Sequence, residues 1–426
     1  MGQITTKKLG NGLKLIHDRR EGSALCAVSL RFRAGSIYEE KPGTAHLLEH
    51  IVLSGTKRYQ TKDELEGLVG QSGGRGGGRT SYEGSTYWAN TPLSALEAAI
   101  TYVVETSFAP LLRKEDFIRE QKVVLQEVKR RDSQSIELAR QKGQAALFPE
   151  TPFARPVMGT AEDVADLELE DITAFWKKNY VPENGSLSIV ADFDFEKVEA
   201  LVEHIFSEVN TVSGLPEFQQ VVFAAPVVSD IFPMEDPKAI QSRVLIAYRA
   251  PALFDKEKQA ADVLSSILGG GKTSRLFKAV RQEKGLAYDT NASVISSQSS
   301  GRFVIQSGTT PELITELIAT IGGELRRMMS ELCESHELET ARQRNIFNHH
   351  TYNESAKEWS ETLAMIALYE DNPESWLNVE SRYAHVSAKD VQDVAQKIFS
   401  SPVVVAVIKR PTDELQIDSA LLSFVK

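Results

Sequence analysis

The chain has 426 residues, 42% of them hydrophobic, and a formal net charge of −11. That length exceeds one ordinary domain, and without a dense Lys/Arg block there is no electrostatic case for nucleic acid or an anionic membrane as partner. Cys26 and Cys333 have no C-x-x-C spacing, so neither a disulfide framework nor a Cys-based zinc site is expected.

The opening residues, MGQITTKKLGNGLKLIHDRR, lack an apolar h-region, so no secretory signal is expected, and the location expected is cytoplasmic. Met1-Gly2 with Thr6 matches a myristoylation pattern superficially, but Leu9 onward reads as strand and turn. No apolar run reaches the length of a membrane span. GLKLIHDRR and ALCAVSLRFRAG alternate as two paired strands. Thr44 to Leu53 reads as a helix, Glu64 to Val69 as a short one, and GQSGGRGGGRT as a glycine-rich loop. TSYEGSTYWANTP reads as a strand and Leu93 to Phe108 as a helix. Lys114 to Arg131 is a long helix that begins acidic and ends basic, as the helix dipole favours. Asp166 to Asn179 is a further helix, SLSIVADF a strand, and Phe195 to Phe206 another helix.

The pattern then restarts. Phe32-Arg33-Ala34 has a counterpart 216 positions on in Tyr248-Arg249-Ala250, and AHLLEHIVL (45–53) lies over ADVLSSILG (261–269) at the same offset. TPLSALEAAI resembles TPELITELIA at a slightly larger one. Two similar domains are expected, 1–210 and 222–426, joined by a linker at 211–221. The apolar positions repeat, Leu48 as Leu264 and Ile51 as Ile267, whereas His46, Glu49 and His50 become Asp262, Ser265 and Ser266. Those three polar residues are therefore not needed to fold the helix.

Residues four apart share a helix face, so His46 and His50 can aim two imidazole nitrogens at one point, the arrangement a zinc ion requires. Glu49 sits beside that stripe, where a carboxylate could take a proton from water activated by the metal. A His-x-x-Glu-His match also arises by chance in ordinary helices, so a third ligand from another element is the discriminating requirement. Glu120 and Glu127 stand seven apart, on one face of the long helix. Glu127 lies among Val123, Val124, Leu125 and Val128. On residue chemistry alone it is open whether it is a ligand or an ordinary solvated glutamate.

HLLEH resembles the inverted zinc motif of the pitrilysin-type metallopeptidases, the inverzincins, a family that includes insulin-degrading enzyme and mitochondrial processing peptidase. The family's third ligand is a Glu 77 positions after the second His, where Glu127 stands, and a supporting Glu seven before it matches Glu120. FARPVMGTAEDVADLELEDITAFWKKNYVPENGSLSIVADFD is similar to the segment closing the family's first half, and LGGGKTSRLFKAVRQEKGLAYDTNASV to its second-half glycine-rich segment. There the family uses an Arg and a Tyr seven apart to hold the substrate carbonyl, matched by Arg281 and Tyr288. One departure stands out. Where the family carries Asn-Ala before its substrate-binding edge strand, this chain has Gly77-Gly78, then Arg79-Thr80. That loses an amide side chain for substrate backbone and implies a more flexible segment.

The resemblance implies an α+β fold of two structurally similar domains, each a mainly antiparallel sheet with helices packed on one face. It implies one Zn2+ per chain on His46, His50 and Glu127, Glu49 as general base, and Glu120 supporting the ligands. Arg281 and Tyr288 would stabilise the oxyanion, Gly77, Gly78 and Thr80 would contact substrate, and the peptide would be added as a strand to the sheet edge near Thr80 to Tyr87. The expected activity is that of a zinc metalloendopeptidase on extended short or unfolded peptides, in a chamber formed by a homodimer or by a heterodimer with a related subunit. The alternatives are a zinc-bearing subunit that needs a partner for substrate binding, a non-catalytic scaffold subunit, and a metal-dependent hydrolase of non-peptide substrates.

Overall fold

The computed structural model describes residues 3–209, 211, 213–218, 221, 223, 229–370, 376, 378–413 and 419–425. They form two compact units, each with its own sheet and core. The first comprises the described residues of Met1–Arg130, Pro156–Gln220 and His350–Leu377; the second, those of Arg131–Arg155, Val221–His349 and Asn378–Lys426. The units are thus built from interleaved stretches, unlike the continuous halves 1–210 and 222–426. Of the linker expected at 211–221, residues 212, 219 and 220 lie outside the described residues.

The first sheet contains β1 (Gln3–Lys8), β2 (Lys14–Arg19), β3 (Leu25–Phe32), β4 (Arg75–Thr80), β5 (Ser85–Pro92) and β6 (Gly185–Ala191). Their order is β1-β2-β6-β3-β5-β4, antiparallel throughout except for β2 beside β6. Alternation along β3 sends Val28, Leu30 and Phe32 into the main core. There they meet α1 (Thr44–Val52), α2 (Lys62–Gly70), α3 (Leu96–Phe108) and the apolar stripe of α4 (Lys114–Asp132). After α5 (Ser135–Leu147) and the short α6 (Ala161–Ala165), the layer is completed by α7 (Leu169–Asn179) and α8 (Phe195–Ser207).

The second sheet contains β7 (Asp230–Glu235), β8 (Ser242–Ala250), β9 (Thr290–Ser296), β10 (Gly301–Thr309) and β11 (Val403–Lys409), in the order β7-β11-β8-β10-β9. Only β7 and β11 run parallel. Strand for strand this repeats β2-β6-β3-β5-β4, with the parallel pair at the corresponding place, so the internal duplication read from the sequence is a duplication of sheet topology. Helices α9 (Lys258–Gly269) and α10 (Ile314–Ser330) supply its core. Beyond α11 (Ser335–Glu354), α12 (Ala356–Tyr369) and α13 (Val379–Ala384), α14 (Ala388–Phe399) also packs into it.

The opposite face of each sheet is covered by one helix that comes from the other half of the sequence. In the first unit α12 lies against β2, β3, β5 and β6. Its Trp359, Leu363 and Ala367 form a small core with Ile16 and Val190. The Trp359 indole donates to Asp18 Oδ2 at 2.8 Å, and the hydroxyls of Ser29 and Ser360 lie 2.7 Å apart. In the second unit α5 plays the same part, with Ala139 against Met234, Leu245, Ala406 and Ile408. Neither α5 nor β1 was expected from the sequence.

The glycine-rich run is a strand, not a loop. Gly76, Gly77 and Gly78 lie in β4 in register with Ala89, Trp88 and Tyr87, and none has a positive φ. A Cβ on Gly76 would stand 2.5 Å from the Tyr102 ring, and one on Gly77 3.2 Å from Trp88. Close packing, rather than a need for flexibility, accounts for glycine there. A consequence of the α12 packing is testable: Trp359→Ala should destabilise the first unit by about 3–5 kcal/mol, read from denaturant unfolding, and a loss under about 1 kcal/mol would show that α12 does not anchor that sheet.

Candidate active site

Helix α1 forms because Ala45, Leu47, Leu48, Ile51 and Val52 recur at helical spacing and are buried. Its N-terminal donors are satisfied from the preceding loop: Gly43 N–H and Ala45 N–H donate to Glu39 Oε1 and Oε2 at 2.9 and 3.0 Å. Gly43 itself has φ of 89°, a conformation that suits glycine. With the apolar stripe fixed inward, His46, Glu49 and His50 share the partly exposed face.

Helix α4 is set the same way, with Phe117, Val124 and Val128 in the core. This brings Glu127 to the two rings. Glu127 Oε2 lies 3.8 Å from His46 Nε2 and 3.5 Å from His50 Nε2. The two ring centroids are 4.9 Å apart. One donor atom from each of the three residues falls within 4.8 Å of the others. Donors around a tetrahedral zinc at 2.0–2.1 Å stand about 3.3 Å apart, so the three would hold a zinc ion after closing by up to about 1.5 Å at the widest pair. Among the described residues no other three His, Cys, Asp or Glu side chains converge this way.

Glu120, one helical turn pair before Glu127 and buried, puts Oε2 3.5 Å from His50 Nδ1. That fixes which nitrogen of His50 faces Glu127. The His50 hydrogen bond holds the Glu120 carboxyl below the usual range against the effect of burial, helped by Arg119, whose Nε donates to Glu120 Oε1 at 3.0 Å. Burial opposes charge on His50, but the Glu120 hydrogen bond and the charges of Glu127 and Glu49 outweigh it and raise the pKa.

Glu49 reaches toward β4. Thr80 donates its hydroxyl to Glu49 Oε2 at 2.6 Å, while a Cβ on Gly78 would stand 2.8 Å from Glu49 Cγ. Gly78 is thus the position that leaves space for this side chain. Burial pushes the Glu49 carboxyl up, and the Thr80 hydrogen bond moderates the rise. A carboxyl raised in this way is better suited to accept and return a proton than an ordinary one.

The structure therefore gathers His46, His50, Glu127, Glu120, Glu49, Gly78 and Thr80 in the first unit. Arg281 and Tyr288 lie in the second, where they meet each other: the Arg281 Cζ sits 4.4 Å from the Tyr288 ring centroid, and Tyr288 is 76% exposed. Glu39 and the Thr80–Glu49 bond were not anticipated. Glu39 could have been suspected as an acid just before a helix N-terminus; the partner of Thr80 depends on a strand that the glycines concealed.

The chain is similar to known proteins in sequence and in fold. Residues 15–161 match the model of Insulinase (Peptidase family M16), and residues 166–345 that of the Peptidase M16 inactive domain. An uncharacterised zinc protease of Rickettsia bellii is 26% identical over 412 residues, 95% of this chain and 97% of that protein. The zinc protease PqqE of Helicobacter pylori is 25% identical over 327 residues, 73% of this chain and 71% of that protein. In three dimensions the crystal structure of a protease from Helicobacter pylori superposes with a TM-score of 0.88 at 21% identity, covering 96% of this chain and 99% of that one. The structure of a peptidase M16 inactive domain from Pseudomonas fluorescens gives 0.85 at 18%, covering 98% and 100%. The two-domain α+β architecture, the family matches and a cluster able to hold a metal ion define the class as a zinc-protease-like protein. The chain belongs to peptidase family M16.

Two measurements check the metal centre. Zinc takes neutral imidazole, and the raised pKa of His50 lets protons compete early. Zinc affinity of the metal-free chain should therefore fall with falling pH from above the ordinary histidine value of 6.5. Chelator competition across that range reads it, and a pH-independent affinity would contradict the assignment. Glu120→Gln should weaken zinc by about 10- to 100-fold without removing a ligand; unchanged affinity would deny Glu120 its orienting part.

Proposed function

We infer that the chain is a zinc-dependent endopeptidase acting on extended peptides. The observation that carries this reading is the convergence of two imidazoles and the Glu127 carboxylate beside Glu49, a carboxyl held by a hydrogen bond and raised in pKa by burial. Zinc on His46, His50 and Glu127 would supply Lewis acidity to water and to the scissile carbonyl.

The chain's own residues account for the remainder. Glu49 accepts the proton that the attacking water loses and returns it to the departing amine. Thr80 fixes the orientation of Glu49 through Oε2, and Glu120 fixes the orientation of His50. β4 ends its sheet, so its outward N–H and C=O groups can pair with a peptide added as a further strand. Glycine at 76–78 leaves that rim without side chains, which favours main-chain pairing and compensates for the missing Asn. For Arg281 and Tyr288 the reading keeps the role that the family resemblance implies, contacts to the substrate carbonyl that stabilise the oxyanion.

The assembly proposed is a pair of chains with one zinc each, enclosing substrate and excluding folded proteins. A homodimer is favoured because this chain carries the ligand set itself; a related subunit as partner is the alternative. Against a scaffold role stands the complete set of ligands and base.

The purified chain loaded with zinc should cleave unstructured peptides, followed by mass spectrometry of the products. Glu49→Gln should reduce the rate by at least about 100-fold while binding zinc as the native chain does. Cleavage that survives Glu49→Gln, or that appears only after a second protein is added, would replace this reading with non-catalytic or partner-dependent ones.

A further inference from the structure

Side chains of a strand alternate between its faces, and on β4 the contacts show which is which. Gly76 and Gly78 face the helical layer, toward Tyr102 and Glu49, whereas Gly77 faces Trp88 on the side covered by α12. Arg75 and Arg79 share that second face with Gly77. Arg79 remains 58% exposed on its side chain although one edge of its guanidinium donates to Glu361 Oε2 at 2.5 Å. Arg75 is exposed, and among the described residues no carboxylate forms an ion pair with it. Lys357 adds a third cation, with Nζ 4.4 Å from the Trp88 ring centroid and 2.8 Å from Glu361 Oε1. The carboxylates present are Glu361 and Glu358, both engaged by Lys357. The two faces of the sheet edge thus differ: on the helical side Glu49, Glu120 and Glu127 stand around two imidazoles and would be offset by a bound zinc ion, whereas the other side carries a surplus of cations.

We propose that this edge selects extended peptides with acidic side chains at alternate positions, those pointing away from the candidate metal centre and toward Arg75 and Arg79. The inference rests on the peptidase reading and names its substrate class. A strand added beside β4 places its side chains alternately on the same two faces, each beside its cross-strand neighbour. Residues on the helical side meet Glu49 and the zinc ligands. Those on the α12 side meet Arg75 and Arg79, which lie four residues apart with only Gly77 between them. Acidic residues four apart on the peptide can reach both arginines at once, and the residue between lies over Gly77 without obstruction. Acids shifted by one position would meet Glu49 and the candidate zinc ligands and would miss both arginines.

The test uses the full-length Glu49→Gln chain, which holds peptides without turning them over. Binding is read by fluorescence anisotropy for two isomeric peptides of equal charge, one with acids at alternate positions and one with the same acids in consecutive positions, and for a neutral analogue. The alternating peptide should bind about 5- to 10-fold more tightly than the neutral one, more so at low salt. Arg75→Glu should abolish or invert that preference and Arg75→Lys should keep most of it, with thermal unfolding of both confirming the fold. Equal binding of all three peptides, no binding of any, or a preference unmoved by Arg75→Glu overturns the inference. Cleavage of neutral peptides by the native chain in parallel shows whether the peptidase reading survives such a result.

Discussion

The arrangement depends on two helices bringing one donor atom from each of three side chains, His46, His50 and Glu127, within 4.8 Å of the others. Neither helix owes that placement to its polar residues. The apolar stripes of α1 and α4 enter one core, and the opposite stripe of each is thereby aimed at the other. Once the rings and Glu127 are set there, electrostatics completes the case. Glu49, Glu120 and Glu127 surround two imidazoles: burial raises the Glu49 carboxyl, the neighbouring carboxylates raise His50 against burial, and the His50 hydrogen bond lowers Glu120. An excess of negative charge in a half-buried cluster has two remedies, protons or a cation. A divalent ion removes it without protonating the ligands, which ties the shape of the site to its cofactor.

The legible part of this site was the local part. His46, Glu49 and His50 are ordered by helix periodicity, and the second half of the chain served as a control by keeping Leu264 and Ile267 while changing the polar residues. Glu127 was open on residue chemistry, since a helical glutamate is most often solvated, and only the family spacing singled it out. The α+β class and the duplication were legible for the same reason, because buried positions repeat. β4 was not. Strand assignment rests on alternating side chains, and a strand with three successive glycines has no alternation to read. Its identity comes from tertiary contacts alone, from Tyr102, Trp88 and Glu49 pressing on positions where no Cβ fits. The Thr80–Glu49 bond was hidden with it.

The interleaved make-up of the units has an equally physical origin. A sheet whose second face were left to solvent would expose Ile16 and Val190 in one case and Leu245, Ala406 and Ile408 in the other. These face α12 and α5, which follow α11 and α4 respectively in sequence yet pack with the opposite sheet from the one their own half contributes. Sequence repeats report which residues are alike, but they do not report which copy of a sheet a given helix covers. Offsets along the chain suggested continuous halves because the exchange is reciprocal: each half gives one helix and takes one, leaving the period unchanged.

The second unit shows what the fold retains when the chemistry is removed. At the places equivalent to the metal-facing stripe, Asp262 takes Lys258 Nζ at 2.5 and 2.6 Å and the Tyr383 hydroxyl at 3.0 Å. Ser265 donates to the Asp262 carbonyl at 2.8 Å, and Ser266 to Asn345 Oδ1 at 3.3 Å. Each polar group has found a partner within the protein, and the charge of Asp262 is balanced by a lysine on its own helix. In the first unit the corresponding His46, Glu49 and His50 take partners from other elements: Thr80 donates to Glu49, His50 Nδ1 faces Glu120, and both imidazoles turn Nε2 toward Glu127. Two copies of one topology therefore carry different polar stripes: one closes into a network of hydrogen bonds and an ion pair, the other converges on a point that could hold a cation, and the apolar stripe that both share makes either arrangement possible.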